Sequence, residues 1–400
     1  MKILMIAPEP ILEPRGTPIS VYQRLKALSA LGHQIDLVTY HLGEDIHIPG
    51  VEFHRIPNIP FIKRIKIGPS FAKLILDVFI FLKTISLLFK RRYEVIHSHE
   101  EAAFFAMVLA ELFGTLHIYD MHSSLPNQLR NFNFWGIQIF VHFFTLLEKL
   151  VIHQCDAVIT IDNDLFALVQ KIKPNVSRIK IDNLALWNGF DQDHEEQLSK
   201  MRKDLQINGK IPIVYTGSFE QYQGLELLLE SADIVRRTNS DIYFILVGGH
   251  SYQIERLQKL TRKKRLENQV RFIGIVPPDE VTLYLMLAEV LISPRLDGTS
   301  VPLKIYSYLQ SGKPIIATKL PTHTQILNEE TAVLVEPTKE SIAEGILKLL
   351  NEPQIGKNLG QNGKNYVEER YSWDAYLGKV EKIYRELGLK RVRKATPSEI

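Results

Sequence analysis

The chain has a single cysteine, Cys155, among its 400 residues. An intramolecular disulfide framework is therefore excluded, and the composition suits a reducing compartment. No run of about eighteen uncharged apolar residues occurs, so no membrane-spanning helix is expected. The opening MKILMIAPEP carries too short an apolar run for a signal peptide and reads as a first strand. No GxGxxG opens a strand–helix unit, which argues against a dinucleotide-dependent dehydrogenase. Internal repeats and low-complexity tracts are missing too, which leaves out solenoids. Net charge is scarce at +3, and no nucleic-acid partner is expected.

What is present is an ordinary α/β composition, 45% apolar and 23% charged, with length for two or three domains. The charge is unevenly placed. From Arg55 to Arg92 there are nine Lys or Arg against one acid, Asp77, a local balance of +8. Within that stretch Phe71 to Phe89 is mostly apolar, with Lys73, Asp77, Thr84 and Arg91 spaced to share one helix face. Such a helix, with a narrow polar stripe and basic flanks, suits a membrane interface. The alternative is a helix buried against a sheet with its cations solvated.

Strand and helix signals alternate from Lys2 onward. Strands are expected at Lys2 to Ala7, Ile35 to Tyr40, Val95 to His97, Leu116 to Tyr119 and Ala157 to Ile161. Helices are expected at Ser20 to Leu31, Ala102 to Phe113 and Phe134 to Cys155. The polar stretch Asn188 to Lys210 reads as a linker. A second series of strands and helices starts at Ile211, and the last helix, Trp373 to Leu387, precedes a basic tail, Lys390 to Lys394. The expected organisation is an N-terminal Rossmann-like domain (1–187), a C-terminal one (188–371) and a returning terminal helix (372–400).

The segment LISPRLDGTSVPLKIYSYLQSGKPIIAT, Leu291 to Thr318, carries the most chemistry. It reads as strand, polar loop, amphipathic helix and strand, and that unit places its loop where open parallel sheets bind ligands. The helix start offers N–H groups and a positive dipole end to an anion, beside Asp297 and Lys304. This segment resembles the donor-site segment of family 4 glycosyltransferases, following their PLKxxEYLxxGKPVVAT variant with Ser307 in place of the usual Glu. The resemblance extends from Lys2 to about Leu387. It implies an α/β GT-B fold, two facing Rossmann-like doubly wound domains with a cleft between them. It also implies a retaining, nucleotide-sugar-dependent transferase of the hexosyltransferase type.

Further positions match the family in order. Gly16, after Pro14-Arg15, matches the second of a glycine pair facing the donor, with Thr17 beside it. Arg15 stands where the first glycine would be, to clamp an anion or to face water. Gly32-His33 matches the end of the following helix, and Glu100 occupies an acidic turn after His97-Ser98-His99. His97 and His99 share a strand face, but no further ligand of suitable spacing suggests a metal. His122, just past a strand, matches an active-site histidine. In Thr216-Gly217-Ser218-Phe219-Glu220-Gln221-Tyr222-Gln223-Gly224 the family carries an Arg and a Lys that hold the donor diphosphate. Ser218 and Gln223 replace them, with Lys304 or Arg295 left to compensate. Gly249 lies where the family approaches the nucleotide, and Asn188-Gly189-Phe190-Asp191 matches a linker element.

The resemblance thus assigns catalysis to His122 and Asp297. It assigns donor binding to Gly16, Thr17, Gly217, Ser218, Gln223, Gly249, Thr299, Lys304 and Ser307. The donor is a nucleotide diphosphate sugar, and neither a metal nor another cofactor is expected. The expected acceptor is a lipid-linked or cell-surface glycan, and the expected place of work is cytoplasmic, peripheral on the inner face of an anionic membrane. Two rivals stand beside this reading: a sugar-nucleotide epimerase of the same fold, and a non-catalytic partner subunit whose donor site has decayed.

Overall fold

The computed structural model describes residues 1–11, 16–43, 46–62, 65, 71–130, 137–184, 194–298 and 301–395. The chain forms two compact units, Met1–Asn183 with Trp373–Ile400, and Leu184–Ser372. Both are parallel α/β sheets of the GT-B type.

The N-terminal sheet holds β1 (Lys2–Ala7), β2 (Gln34–Thr39), β3 (Val51–Arg55), β4 (Val95–His99), β5 (Leu116–Met121), β6 (Ala157–Thr160) and β7 (Ser177–Lys180). Its helices are α1 (Gly16–Ala30), α2 (Phe71–Lys90), α3 (Ala103–Phe113), α4 (Leu125–Arg130), α5 (Ile137–Gln154) and α6 (Asn163–Ile172). The strand order is β3-β2-β1-β4-β5-β6-β7, and it reverses direction between β1 and β4. β1 reads KILMIA because helices cover both faces of the sheet, so both sets of alternate side chains are buried.

The C-terminal unit opens with α7 (Glu195–Asp204). Its sheet holds β8 (Ile211–Thr216), β9 (Ile242–Val247), β10 (Val270–Gly274), β11 (Val290–Ser293), β12 (Ile315–Thr318) and β13 (Val333–Val335). Around it lie α8 (Leu225–Thr238), α9 (Ser251–Lys263), α10 (Pro278–Leu287), α11 (Leu303–Gln310), α12 (Pro321–Thr324), α13 (Lys339–Asn351) and α14 (Pro353–Arg370). The order β10-β9-β8-β11-β12-β13 reverses between β8 and β11. Two apolar cores flank the sheet, one built around Leu228, Leu229 and Ile346, the other around Leu285, Ile305 and Leu309.

The last helix, α15 (Trp373–Ala395), belongs to the N-terminal unit. Ser177 donates to Glu386, and Lys379 Nζ lies 3.1 Å from Asp182. Tyr376, Tyr384 and Leu387 of α15 are buried.

One expectation is corrected. The stretch read as a linker holds α7, whose charged run is a solvated helix face, and the unit boundary falls at Asn183/Leu184. Helix α2 packs with its polar stripe turned inward. Lys73 Nζ lies 3.2 Å from Glu101 and 3.7 Å from Glu9, the Tyr40 hydroxyl donates to Asp77 at 2.7 Å, and Thr84 is fully buried. Arg91, read onto the same stripe, pairs with Asp36 at 2.7 Å and Glu52 at 2.6 Å. Of the basic residues in that stretch, Lys63, Arg64 and Lys66 lie outside the described residues.

Tight helix packing in the C-terminal unit depends on small residues, and Gly360 makes the closest backbone approach among its helical glycines. A Cβ on Gly360 of α14 would sit 2.0 Å from the Gly312 carbonyl oxygen, a backbone atom that no rotamer change can move. Gly360→Ala should therefore destabilise this unit by about 2–4 kcal/mol, despite the higher helix propensity of alanine. Urea unfolding followed by circular dichroism checks it. An unchanged or raised midpoint would mean that α14 shifts freely.

Candidate active site

In open α/β sheets, ligands bind beyond the carboxyl ends of the strands where the strand order reverses. In the C-terminal unit that place is occupied by the loops after β8 and β11. Leu296 N donates to Tyr222 O at 2.8 Å, and a Cβ on Gly224 would lie 1.9 Å from Pro294 O. The third loop, after β9, is equally close: a Cβ on Gly248 would meet Gly217 O at 2.0 Å, and one on Gly249 would meet the Phe219 ring at 2.3 Å. Gly217, Gly224, Gly248 and Gly249 all have φ between +73° and +133°, where side chains are strained. These glycines let three loops converge.

Two helices start at this convergence, α8 and α11, and no side chain caps either first turn. Elsewhere Asp162 caps α6 and Thr338 caps α13. An uncapped start keeps backbone N–H groups and the positive dipole end available to an anion. Lys304, in the first turn of α11, donates to Gln223 Oε1 at 3.0 Å and lies 3.8 Å above the Tyr215 ring centre. Burial, with nearby Arg295 adding to it, holds its ammonium well below the usual lysine range. Burial also lowers Arg295, whose guanidinium stacks over Tyr222 and donates through Nε to the Asp297 carbonyl at 2.6 Å. A lysine held in this way is short of negative charge, which an anionic ligand would supply.

The expected donor residues are distributed unevenly around this point. Gly217 and Ser218 are exposed, and Ser218 accepts from the Tyr215 hydroxyl through its carbonyl at 2.7 Å. Gln223 is buried and holds Lys304, so the residue replacing the family lysine positions another one. Gly249 is buried against Phe219, and Ser307 is fully buried in α11. Asp297 is exposed, and its Oδ1 accepts from Gly298 N at 2.6 Å. Thr299 lies outside the described residues.

In the N-terminal unit, β1 and β4 flank the reversal. Gly16 is exposed at the start of α1 with Thr17 beside it, and a Cβ on Gly16 would meet open space. Arg15 lies outside the described residues, as do Asn188, Gly189, Phe190 and Asp191. Glu100, at the end of β4, has φ +50°, a strained conformation for a residue with a Cβ. Burial pushes its carboxyl up to about 7 against the opposing pull of His122, and Ser123 donates to it at 2.8 Å.

His122, read as lying just past a strand, is buried in a polar network. Its Nε2 lies 3.2 Å from Asp120 Oδ1 and 3.2 Å from His99 Nδ1. Asp120 Oδ2 accepts from Arg24 Nε at 2.9 Å and lies 3.1 Å from His97 Nε2. His97 Nδ1 is 2.6 Å from the Tyr384 hydroxyl of α15. Burial drives His122 down, but the Asp120 carboxylate outweighs it and sets the imidazole above its ordinary range. Burial pushes Asp120 up, yet Arg24 and then His122 hold it well below the carboxylate range. The result is a protonatable imidazole held by a permanent negative charge.

Sequence reasoning did not single out Arg24, Asp120 or Tyr384. His97, His99 and Asp120 come within metal-ligand distance of one another, but the Arg24 guanidinium already neutralises the carboxylate. The alternation that puts His97 and His99 on one strand face was the available signal. Arg24, in a helix whose buried residues also include Ser20 and Gln23, offered none.

With this geometry in view, the comparisons are specific. The description "Glycosyltransferase Family 4" matches residues 14–181, and "Glycosyl transferases group 1" matches residues 197–366. Together they span most of the chain and both sheets. The chain belongs to glycosyltransferase family 4. This family 4 member is 22% identical over 245 residues to an uncharacterized glycosyltransferase of Methanocaldococcus jannaschii, covering 60% of this chain and 61% of that protein. The first curated relatives are matched over 48% to 61% of their own length. Among solved structures, sucrose-phosphate synthase from Thermosynechococcus elongatus superposes with a TM-score of 0.78 at 20% identity, covering 97% of this chain and 99% of that one. Anabaena HepE in complex with UDP gives 0.75 at 15% identity, covering 96% and 100%. At those identities the superpositions speak to fold.

Buried neutral histidines make a pH dependence in both units. Burial lowers His117 to about 3 and His323 to about 4. Below the ordinary histidine range the unfolded chain takes up protons that these imidazoles refuse, so stability falls as pH falls. Between pH 7 and 5 each should withdraw about 2 kcal/mol from its own unit. Urea midpoints at the two pH values test this, with His117→Asn flattening the N-terminal response. A midpoint that does not change for the wild-type chain would contradict it.

Proposed function

We propose that this family 4 member moves a sugar from a nucleotide diphosphate sugar to an acceptor hydroxyl with retention of anomeric configuration. The observation that carries the reading is the C-terminal reversal point, where two uncapped helix starts meet the paired cations Lys304 and Arg295. A diphosphate leaving group needs such fixed positive charge, and preorganised donors supply it without reorganisation as the bond breaks. HepE, with UDP bound in its crystal, shares the fold and supports this choice of donor. No protein nucleophile is required if the leaving phosphate accepts the acceptor proton. In the N-terminal unit His122 would supply positive charge or a hydrogen bond to the sugar, with Asp120 fixing its protonation. Gly16, with open space where a Cβ would stand, and Thr17 would allow the donor to approach backbone. Asp297 would accept from sugar hydroxyls, and Gly217, Ser218, Gln223, Gly249, Thr299 and Ser307 would complete the donor contacts. The acceptor we infer is a lipid-linked or cell-surface glycan, reached from the cytoplasmic side of an anionic membrane. No helix of the described residues is long and apolar enough to cross a membrane.

Lys304→Ala should weaken nucleoside diphosphate binding roughly 10- to 100-fold, the range for a lost hydrogen bond to a charged group. It should leave binding of the bare nucleoside nearly unchanged. Calorimetry with both ligands checks it, and equal losses would make Lys304 a structural residue. A wild-type chain that binds no nucleotide sugar would favour the non-catalytic subunit. Conversion of donor without acceptor would favour the epimerase.

His122→Ala and Asp297→Ala should each reduce sugar transfer by about 100-fold or more, the usual scale for a lost group that contacts the transition state. Product formation is measured beside circular dichroism, because His122 is buried and its removal also strips a partner from Asp120. Transfer near wild type in either variant would remove that residue from the site.

A further inference from the structure

Helices α2, α3 and α5 lie side by side over one face of the N-terminal sheet. Phe81 meets Phe105 at 5.4 Å, Phe89 meets Phe113 at 5.3 Å, and Phe104 meets Phe144 at 5.8 Å between ring centres. Their outward faces are apolar. Leu82 and Phe89 of α2, Leu112 of α3, and Ile139, Phe140 and Phe143 of α5 are all exposed, Phe89 at 78%, Leu112 at 72% and Ile139 at 76%. Three neighbouring helices exposing large apolar side chains form a contiguous patch, which soluble surfaces ordinarily avoid.

The charges on these helices say what covers it. Asp77 of α2 and Glu148 of α5 are turned inward, to Tyr40 and Ser124. Glu111 of α3 is the one carboxylate of the three helices that faces solvent. The cations Lys90, at the end of α2, Arg92, just after it, and Lys149, within α5, are exposed. A second copy brought against this face would carry the same cations, and like charges at the rim oppose a symmetric pairing. A surface that is apolar within and negative at its boundary suits the patch better.

We propose that the α2–α3–α5 face is a membrane-docking surface that inserts into the outer part of a lipid leaflet, its cations meeting anionic headgroups. The proposal deepens the inferred use of a membrane acceptor and rests on that reading for its purpose. The helices lie in the interface and do not span it.

The test is co-sedimentation of the full chain with phosphatidylglycerol-containing vesicles and with phosphatidylcholine vesicles, against ionic strength. Wild type should bind the anionic vesicles, less so as salt rises. The triple variant Leu82→Gln, Phe89→Gln, Phe143→Gln should lower partitioning by at least about tenfold. Its substituted side chains are exposed, and an unchanged melting curve confirms its fold. Independently, Phe89→Trp should show a blue-shifted emission on anionic vesicles. Wild-type partitioning in the triple variant, no emission shift, or no vesicle binding by wild type each overturns the proposal. A concentration-dependent dimer that the triple variant dissolves would overturn it in favour of self-association. UDP calorimetry on the wild-type samples separates the readings: UDP binding without vesicle binding sinks the docking face alone, and vesicle binding without UDP binding sinks the donor site alone.

Discussion

Asp120 is a carboxylate with no access to water at the end of a central strand, and most of the N-terminal site follows from that. A buried charge without a partner is strongly destabilising, so the sheet must bring neutralising groups to it. α1 brings Arg24, β4 brings His97 and His99, the loop after β5 brings His122, and α15 closes the far side with Tyr384 and Tyr376. The Arg24 guanidinium stacks over the Tyr376 ring at 5.3 Å, so the terminal helix is part of the same network. The return of the last 23-residue helix to the first domain therefore does more than cover apolar surface. It completes the shell that fixes the charge on Asp120 and, through it, the proton on His122.

The C-terminal reversal point solves the opposite problem. There the charged side chains are Lys304 and Arg295, the backbone is drawn inward by glycines, and among the described residues no carboxylate is bonded to Lys304. The replacement of the family lysine by Gln223 alters the wiring rather than emptying the site. Gln223 accepts from Lys304, a neutral acceptor that orients an ammonium without neutralising it. A carboxylate at that position would quench the charge and compete with a phosphate. The paired domains thus use buried electrostatics in complementary ways, one holding a permanent anion beside an imidazole, the other holding cations ready for an anion.

Much of this was legible from the residues. Strand and helix alternation gave the doubly wound class, and the Leu291–Thr318 unit located the loop, helix and strand that the structure contains as β11, α11 and β12. The edge strands β3, β7 and β13 were not anticipated, because VEFHR and SRIK are too polar to stand out as strands and VLV is only three residues long. The helix α7 hid in a charged run because its apolar period is only three residues, Leu198, Met201 and Leu205, set among charges. The Arg24–Asp120 pair was invisible for a different reason. Its members are 96 residues apart, and only strand order brings them together.

The inverted packing of α2 shows where periodicity stops. Spacing reveals that Lys73, Asp77 and Thr84 share a face, but it does not say which face is buried. The answer comes from the carboxylates at the carboxyl edge of the sheet. Glu9, after β1, and Glu101, after β4, both sit at the reversal point, and Lys73 reaches both. Burying Leu74 and Val78 there instead would leave those acids without their cation and the Tyr40 hydroxyl without Asp77. Since a buried unpaired charge is worth more than one leucine of apolar burial, the polar stripe goes in. The side that carries Leu74, Val78 and Leu82 is then forced outward beside the exposed faces of α3 and α5. On this argument the proposed docking face is a consequence of how the N-terminal sheet manages acids beside its site, and the two features are bound to the same helix.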